Sequence, residues 1–316
     1  MASRSIDNAF VARSLAGASY EPTYAGALSF MRRKYSKSVK GADAVVWGVP
    51  FDAAVTNRPG ARFGPQAIRR ASAIMDNDAQ YPFNDEFLDV LKVVDYGDCL
   101  LDSGNHSKTP ATIEREAKKL IRDGAFLLTL GGDHFITWPL LKAHAEKYGP
   151  LSLVQFDAHQ DTWNDDGKRI DHGSFVLRAV REGVVDPDTS IQIGIRTHAP
   201  TDCGIKILYG YDVEEMRAAD IAYAILERTA GRKTYVTFDI DCLDPAFAPG
   251  TGTPVSGGPS SAKMLSVIRQ LDRLDMVGAD VVEVAPAYDH ADITAIAASN
   301  IAMYYLGLLA SRRARA

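Results

Sequence analysis

The stretch Leu151-Ser-Leu-Val-Gln-Phe-Asp-Ala-His-Gln-Asp161 is a short apolar run that breaks, at its end, into two aspartates and a histidine. A short apolar run of this kind reads as a buried strand, and an open parallel sheet gathers its ligands beyond the carboxyl ends of such strands. The same design occurs twice more: Phe126-Leu-Leu-Thr-Leu-Gly-Gly-Asp-His134 and Tyr235-Val-Thr-Phe-Asp-Ile-Asp-Cys-Leu-Asp-Pro245 also pass from apolar residues directly into ionisable ones. Working outward, further strands are expected near 43–49, 91–96, 190–195, 205–209 and 276–282, about eight with the three above. Between them, residues 110–123, 137–148, 173–183, 212–230, 260–274 and 292–310 repeat apolar positions three and four apart, as crossover helices do. Strands alternating with helices predict an α/β fold built on a parallel sheet. Asp212 and Ser260 stand where N-caps belong, and Gly124 and Gly149 where C-caps do.

Neither a repeat nor a long linker divides the chain, so residues 1–316 are expected to form a single domain. Residues 1–40 differ: their periodicity is weak, and they read as an N-terminal arm whose Arg32, Arg33 and Lys34 form a solvated basic patch. With 316 residues, 46% of them hydrophobic and 24% charged, the composition is that of a globular protein. Asp and Glu number 40 against 35 Lys and Arg, a formal charge of −5, which provides no field to hold nucleic acid or anionic lipid. Cys99, Cys203 and Cys242 are far apart and odd in number, which argues against a disulfide framework or a thiolate zinc site and for a reducing, cytoplasmic setting. The first ten residues lack the apolar core of a secretory leader, and an unbroken apolar run of membrane-spanning length is not seen.

In an extended chain residues i, i+2 and i+4 point to one side, so Asp157, His159 and Asp161 are expected to converge, as are Asp239 and Asp241. Bare carboxylates at the end of a buried sheet are prohibitive unless cations neutralise them or they take up protons. Gly-Gly-Asp-His alone serves equally as a turn and a cap, and Asp-x-Asp is common. It is the joint occurrence, each after an apolar strand, that implies a metal site. His134, Asp157, His159, Asp161, Asp239 and Asp241 are two imidazoles and four carboxylates, more than one tetrahedral zinc would use, so two ions are implied. Oxygen-rich ligation with some imidazole suits Mn²⁺ better than the soft-ligand metals, although affinity order alone would favour several competitors. Four carboxylates offset two divalent ions and leave a bridging hydroxide as the net negative charge, a site that favours a cationic substrate.

These motifs resemble the ureohydrolases, the family of arginases, agmatinases and related guanidino-acid hydrolases. The resemblance extends through Arg58-Pro-Gly-Ala-Arg-Phe-Gly-Pro-Gln-Ala-Ile-Arg69, His172-Gly173 and Val281-Val-Glu-Val-Ala-Pro-Ala-Tyr-Asp289, and covers nearly everything from about residue 43 onward. It implies a three-layer αβα sandwich with a mostly parallel, eight-stranded sheet and a binuclear manganese cluster. It further implies that His134 and Asp161 bind one ion, that His159 and Asp241 bind the other, and that Asp157 and Asp239 bridge both. Hydroxide supplied by the metals would attack the guanidinium carbon and release urea. Besides Asp161, two residues are implied to act in the reaction: Glu283, which receives the guanidinium, and His172, which shuttles a proton. Asp133 and Asp244 read as groups that orient ligands or turns, and Cys242 as packing behind the cluster. His106, His144, His198 and His290 stand outside the motifs and read as surface or capping residues.

Arginases hold their substrate's α-amino and α-carboxylate groups from the loop after Asp-x-His-x-Asp, beginning with an Asn where this chain has Trp163. The loop from Asp161 to His172 also looks shorter, so a substrate without that carboxylate fits better: agmatine, hydrolysed to putrescine and urea. Asp165, Asp166 or Asp171 would attract its amine, whereas Lys168 and Arg169 would instead suit a guanidino acid such as 4-guanidinobutyrate or guanidinopropionate. One zinc per chain would point to a deacetylase on a related sheet, and a lost ligand to a regulatory homologue, but all seven positions are present. Homo-oligomers, trimers or hexamers, are the family's usual state.

Overall fold

The computed structural model describes Leu15 and residues 23–75, 79–83 and 87–314. Its strands are β1 (Lys34–Tyr35), β2 (Ala44–Val49), β3 (Val93–Asp98), β4 (Phe126–Gly131), β5 (Ser152–Phe156), β6 (Ile191–Ile195), β7 (Lys206–Tyr209), β8 (Thr234–Asp239) and β9 (Met276–Val282). They form one sheet in the order β1-β3-β2-β4-β9-β8-β5-β6-β7. Each pairing along it is parallel. Parallel neighbours need crossovers, and helices supply them. They are α1 (Gly64–Ser72), α2 (Phe87–Val90), α3 (Thr109–Ile121), α4 (Thr137–Tyr148), α5 (Phe175–Arg181), α6 (Gly210–Glu215), α7 (Ala218–Thr229), α8 (Ser261–Ile268) and α9 (Ile293–Arg313).

Strand side chains alternate between faces, and β2 shows how this divides the interior into two cores. Val45, Trp47 and Val49 pack on one face with Ile113 of α3, Leu140 of α4 and Phe175 of α5. Ala44 and Val46 pack on the other, with Ile68 of α1, Ile225 of α7, Met264 of α8 and Ile301 of α9. The result is helix, sheet and helix in three layers, the arginase-like architecture that the motifs implied. Helix α9 has a mean hydropathy of 1.5, but 78% of its apolar window is buried, which marks it as a core helix.

Several expectations need correction. The sheet has nine strands among the described residues rather than eight, because Lys34–Tyr35 pairs with β3 at the edge, too short to show a period. Arg32 and Arg33 are not a solvated patch: they are 1% and 2% exposed, beside Phe30 and Met31, which enter the core. Residues 1–14 and 16–22 of the expected arm lie outside the described residues. The helix expected over 212–230 is two, since Met216 and Arg217 are extended. Asp212 is therefore not an N-cap but the third helical residue, its carboxylate accepting from Tyr209 N, whereas Ser260 caps α8 by accepting from Lys263 N at 3.1 Å. His144 is neither a surface nor a capping group; it is fully buried on α4.

Candidate metal centre and substrate cavity

The four strands at the middle of the sheet, β4, β9, β8 and β5, are neighbours in space though far apart in sequence. Beyond their carboxyl ends stand His134, Glu283, the Asp239–Asp241 pair and the Asp157–Asp161 segment, respectively. Register places them level: Leu130 is opposite Val281, Asp239 opposite Val282, and Phe156 opposite Phe238. Close approach of β4 to β2 requires glycine, because a Cβ on Gly132 would lie 2.1 Å from the carbonyl oxygen of Phe51.

Convergence is achieved by turns rather than by the strand alternation expected from spacing. β5 ends at Phe156, and Asp157 turns the chain by accepting from the backbone N–H of His159 at 2.6 Å. Asp161 has φ +52°, a left-handed conformation unusual outside glycine, and this swings its carboxylate toward His134. Asp239 caps a 3₁₀ turn (Ile240–Cys242) and accepts from Asp241 N at 2.8 Å.

Two overlapping groups result, His134/Asp157/Asp239 and Asp157/His159/Asp241, with Asp157 shared. The Nδ1 of His134 lies 3.0 Å from Asp157, 3.1 Å from Asp161 and 3.2 Å from Asp239. The Nδ1 of His159 lies 3.1 Å from Asp241 and 3.4 Å from Asp157. His134 Nδ1 is buried and, among the described residues, has no partner of hydrogen-bond geometry. Its other nitrogen, Nε2, lies 2.8 Å from Thr237 Oγ1, whose hydroxyl donates to the buried carboxylate of Asp280. That relay occupies Nε2–H and leaves the Nδ1 lone pair aimed among three carboxylates, the arrangement of a metal ligand with an orienting partner. The donor set, imidazole nitrogens and carboxylate oxygens in two groups, thus fits two divalent ions.

The electrostatics agree. Burial alone would lower the pKa of His134, but Asp157, Asp161 and Asp239 outweigh it and raise the imidazole well above its usual range. His159 is likewise depressed by burial yet pushed up to about 12 by Asp241 and Asp157. Burial and the charge of Asp157 push Asp161 up to about 6, and burial with the charge of Asp241 raises Asp239 well above the usual carboxylate range. Protons thus neutralise the cluster wherever cations do not.

His134, His159, Asp161 and Asp239 floor a cavity of about 480 Å³ whose walls include Thr56, Trp163, Asn164, Arg169, Asp171 and His172. His172 bridges two elements: its Nδ1 is 3.1 Å from Glu283 Oε1 and its Nε2 is 2.9 Å from Thr56 Oγ1. Burial lowers its pKa, but the Glu283 carboxylate more than compensates, and the imidazole titrates at about 9. Glu283 is 1% exposed, has φ +64°, and accepts from His134 N at 2.9 Å. Among the described residues its buried Oε2 has no partner.

Among the acidic candidates on the loop, Asp165 is turned away into an ion pair with Arg178, with one contact at 2.8 Å, and Asp166 caps the backbone N–H groups of Lys168 and Arg169 in solvent. Asp171 and Arg169 reach the cavity, and Lys168 does not line it. Asp133 orients the turn after β4 by accepting from Ala54 N at 2.9 Å and Phe135 N at 3.1 Å. Asp244 likewise accepts from Ala246, Gly257 and Gly258 N–H groups. Cys242 is buried, as expected.

Sequence reasoning missed Arg196, the residue after β6. Its guanidinium donates to the carbonyls of Gly194 (3.0 Å), Asp241 (2.7 Å), Cys242 (3.1 Å), Leu243 (3.3 Å) and Val255 (2.8 Å). It clasps from behind the loop that carries Asp241. One arginine at the end of Ile191-Gln-Ile-Gly-Ile195 carries no local signal of that role.

Residues 42–307 match the Arginase family. The chain is 49% identical over 310 residues to an agmatinase of Chromobacterium violaceum, covering 97% of this chain and 96% of that one. A crystal structure of a hypothetical agmatinase from Burkholderia thailandensis superposes with a TM-score of 0.96 at 50% identity, covering 98% of each chain. The proclavaminate amidino hydrolase of Streptomyces clavuligerus superposes with a TM-score of 0.88 at 38% identity, covering 92% of this chain and 100% of that one. A likeness this close over almost the whole length, on a sheet whose central strands deliver two His/Asp groups to one cavity, leads to one conclusion: the chain belongs to the arginase family.

Proposed function

We propose that the protein is an agmatinase, hydrolysing agmatine to putrescine and urea with two Mn²⁺ ions per subunit. His134, Asp157, Asp161 and Asp239 would hold one ion, and His159, Asp241, Asp157 and Asp239 the other. Supporting this are the similarity to agmatinases over nearly the entire chain and the oxygen-rich donor set. The observation that carries it is the shared Asp157, which joins two ligand groups at the floor of a cavity next to a buried carboxylate with an unpartnered oxygen, Glu283 Oε2.

Ions bound there would make hydroxide available near neutral pH. The protein's own groups do the rest. Glu283 Oε2 accepts an N–H of the planar guanidinium and fixes its orientation. Asp161, at the cavity wall, accepts a hydrogen bond from the attacking water. As the tetrahedral carbon collapses, the C–N bond to the alkyl chain breaks and the departing amine needs a proton. His172, charged at neutral pH by its pairing with Glu283, holds one on Nε2 at the cavity wall beside Thr56.

Arg169 on the cavity wall favours a second reading, hydrolysis of a guanidino acid such as 4-guanidinobutyrate or guanidinopropionate. Urea release measured on agmatine, arginine, 4-guanidinobutyrate and guanidinopropionate, with and without Mn²⁺, separates the two. We expect manganese-dependent release from agmatine and little from arginine; the reverse order would reject the assignment. Three unpaired cysteines support a reducing, cytoplasmic setting. We further propose that the chain works as one domain and assembles as a trimer or hexamer, which light scattering would reveal.

A further inference from the structure

Building on the agmatine reading above, we propose that Asp171 and Trp163 form the subsite for the charged far end of the substrate, and that Asp171 selects an ammonium over a carboxylate there. Among the described residues three acids line the cavity, Asp161, Asp239 and Asp171. The first two face His134 within the metal cluster, so Asp171 is the lining carboxylate left to meet a second positive charge. It is also well anchored. Asp171 caps a 3₁₀ turn (His172–Ser174), its Oδ1 accepting from Gly173 N at 2.9 Å, and it directly precedes His172, which touches Glu283. Arg169, the rival charge, is 63% exposed at its side chain and leans toward Asp166 at 3.8 Å.

Trp163 completes the subsite. Its backbone N–H donates to Gly173 O at 3.0 Å, and its ring stands 6.4 Å from that of His159. A methyl group on Gly173 would lie 3.6 Å from Asp171 Oδ1 and 3.7 Å from the Trp163 ring, so carboxylate and indole border one small space. An alkyl ammonium seated there over the indole face meets a negative charge together with the negative side of the ring quadrupole, a pairing that holds cations and disfavours carboxylates. The trans span of agmatine from guanidinium carbon to amine nitrogen is roughly 7 Å, six bonds at ordinary bond lengths.

Asp171→Asn tests the charge while its side-chain oxygen can still accept from Gly173 N. We expect kcat/KM for agmatine to fall at least about 30-fold, mostly through KM. For n-butylguanidine, which lacks the terminal charge, it should stay within twofold, and 4-guanidinobutyrate should gain relative to agmatine. Gly173→Ala, which introduces no clash, should raise KM for agmatine by filling the space between ring and carboxylate. Equal losses on agmatine and n-butylguanidine would make Asp171 a support for His172 and overturn the subsite, as would no loss on either. Absence of urea from wild-type protein with agmatine would instead overturn the agmatine reading itself, before any variant is compared.

Discussion

At the scale of single residues, the centre depends on conformations that the chain does not adopt for free. Asp161 and Glu283 both lie in the left-handed region, at φ +52° and +64°, where a side chain other than glycine costs of order 1–3 kcal/mol. Each lies beyond the carboxyl end of a central strand and each delivers a carboxylate to the cluster or its rim, so the strain sits where orientation matters. Arg196 holds the neighbouring loop by donating to carbonyls from Gly194, the 241–243 turn and Val255. A lysine keeps the charge but lacks the planar fork. Arg196→Lys should therefore weaken Mn²⁺ binding about 10-fold or more, as the loss of an orienting partner usually does. Titration calorimetry on folded protein would show it, and unchanged affinity would leave Arg196 as packing alone.

At the scale of elements, strand ends carry the chemistry and helices carry the stability. Helix α4 contains His144, whose Nδ1 lies 2.7 Å from the Leu140 carbonyl and whose ring packs against Tyr148 and Tyr235. Full burial lowers its pKa to about 4, so it is neutral in the fold. In the unfolded chain a histidine titrates near 6.5, so between those values the unfolded state binds more protons and stability falls as pH falls. The stabilisation is complete above pH 6.5 and is lost on descending to pH 4, a change of about 3 kcal/mol. His144→Gln does not titrate and should flatten the stability profile across that window by a similar amount. Urea denaturation at a series of pH values measures this; parallel profiles for the two proteins would contradict it.

At the scale of the whole molecule, the metal cluster and the fold are coupled, because the two ligand groups join three separate segments through three buried aspartates, Asp157, Asp239 and Asp241. Ions that bind the folded chain alone stabilise it by mass action, about 2.7 kcal/mol per site at a free concentration 100 times the dissociation constant. Chelation should lower the thermal midpoint by several degrees, and Mn²⁺ should restore both midpoint and urea release. A midpoint indifferent to chelator would contradict ion binding at these residues.

Much of this was legible along the chain, part of it for a local reason and part through the resemblance to the ureohydrolases. Side-chain period and strand-end chemistry are short-range properties, so the parallel α/β sheet and the six expected ligands could be read from residues within a few positions of one another, whereas the roles of His172 and Glu283 came from the resemblance to the ureohydrolases. Longer-range facts could not. That β4, β9, β8 and β5 lie side by side follows from pairing between segments far apart in sequence. Likewise, Arg32 and Arg33 look solvated in a list of residues and are buried in the molecule. Asp165 and Asp171 are equivalent acids on one loop until Arg178, from the following helix, takes the first and leaves the second on the cavity wall. The backbone of Asp161 turned left-handed for the same kind of reason. Residue type sets which groups are available, whereas packing among distant segments sets which of them meet, since only assembled neighbours can hold a strained torsion or bury a charge.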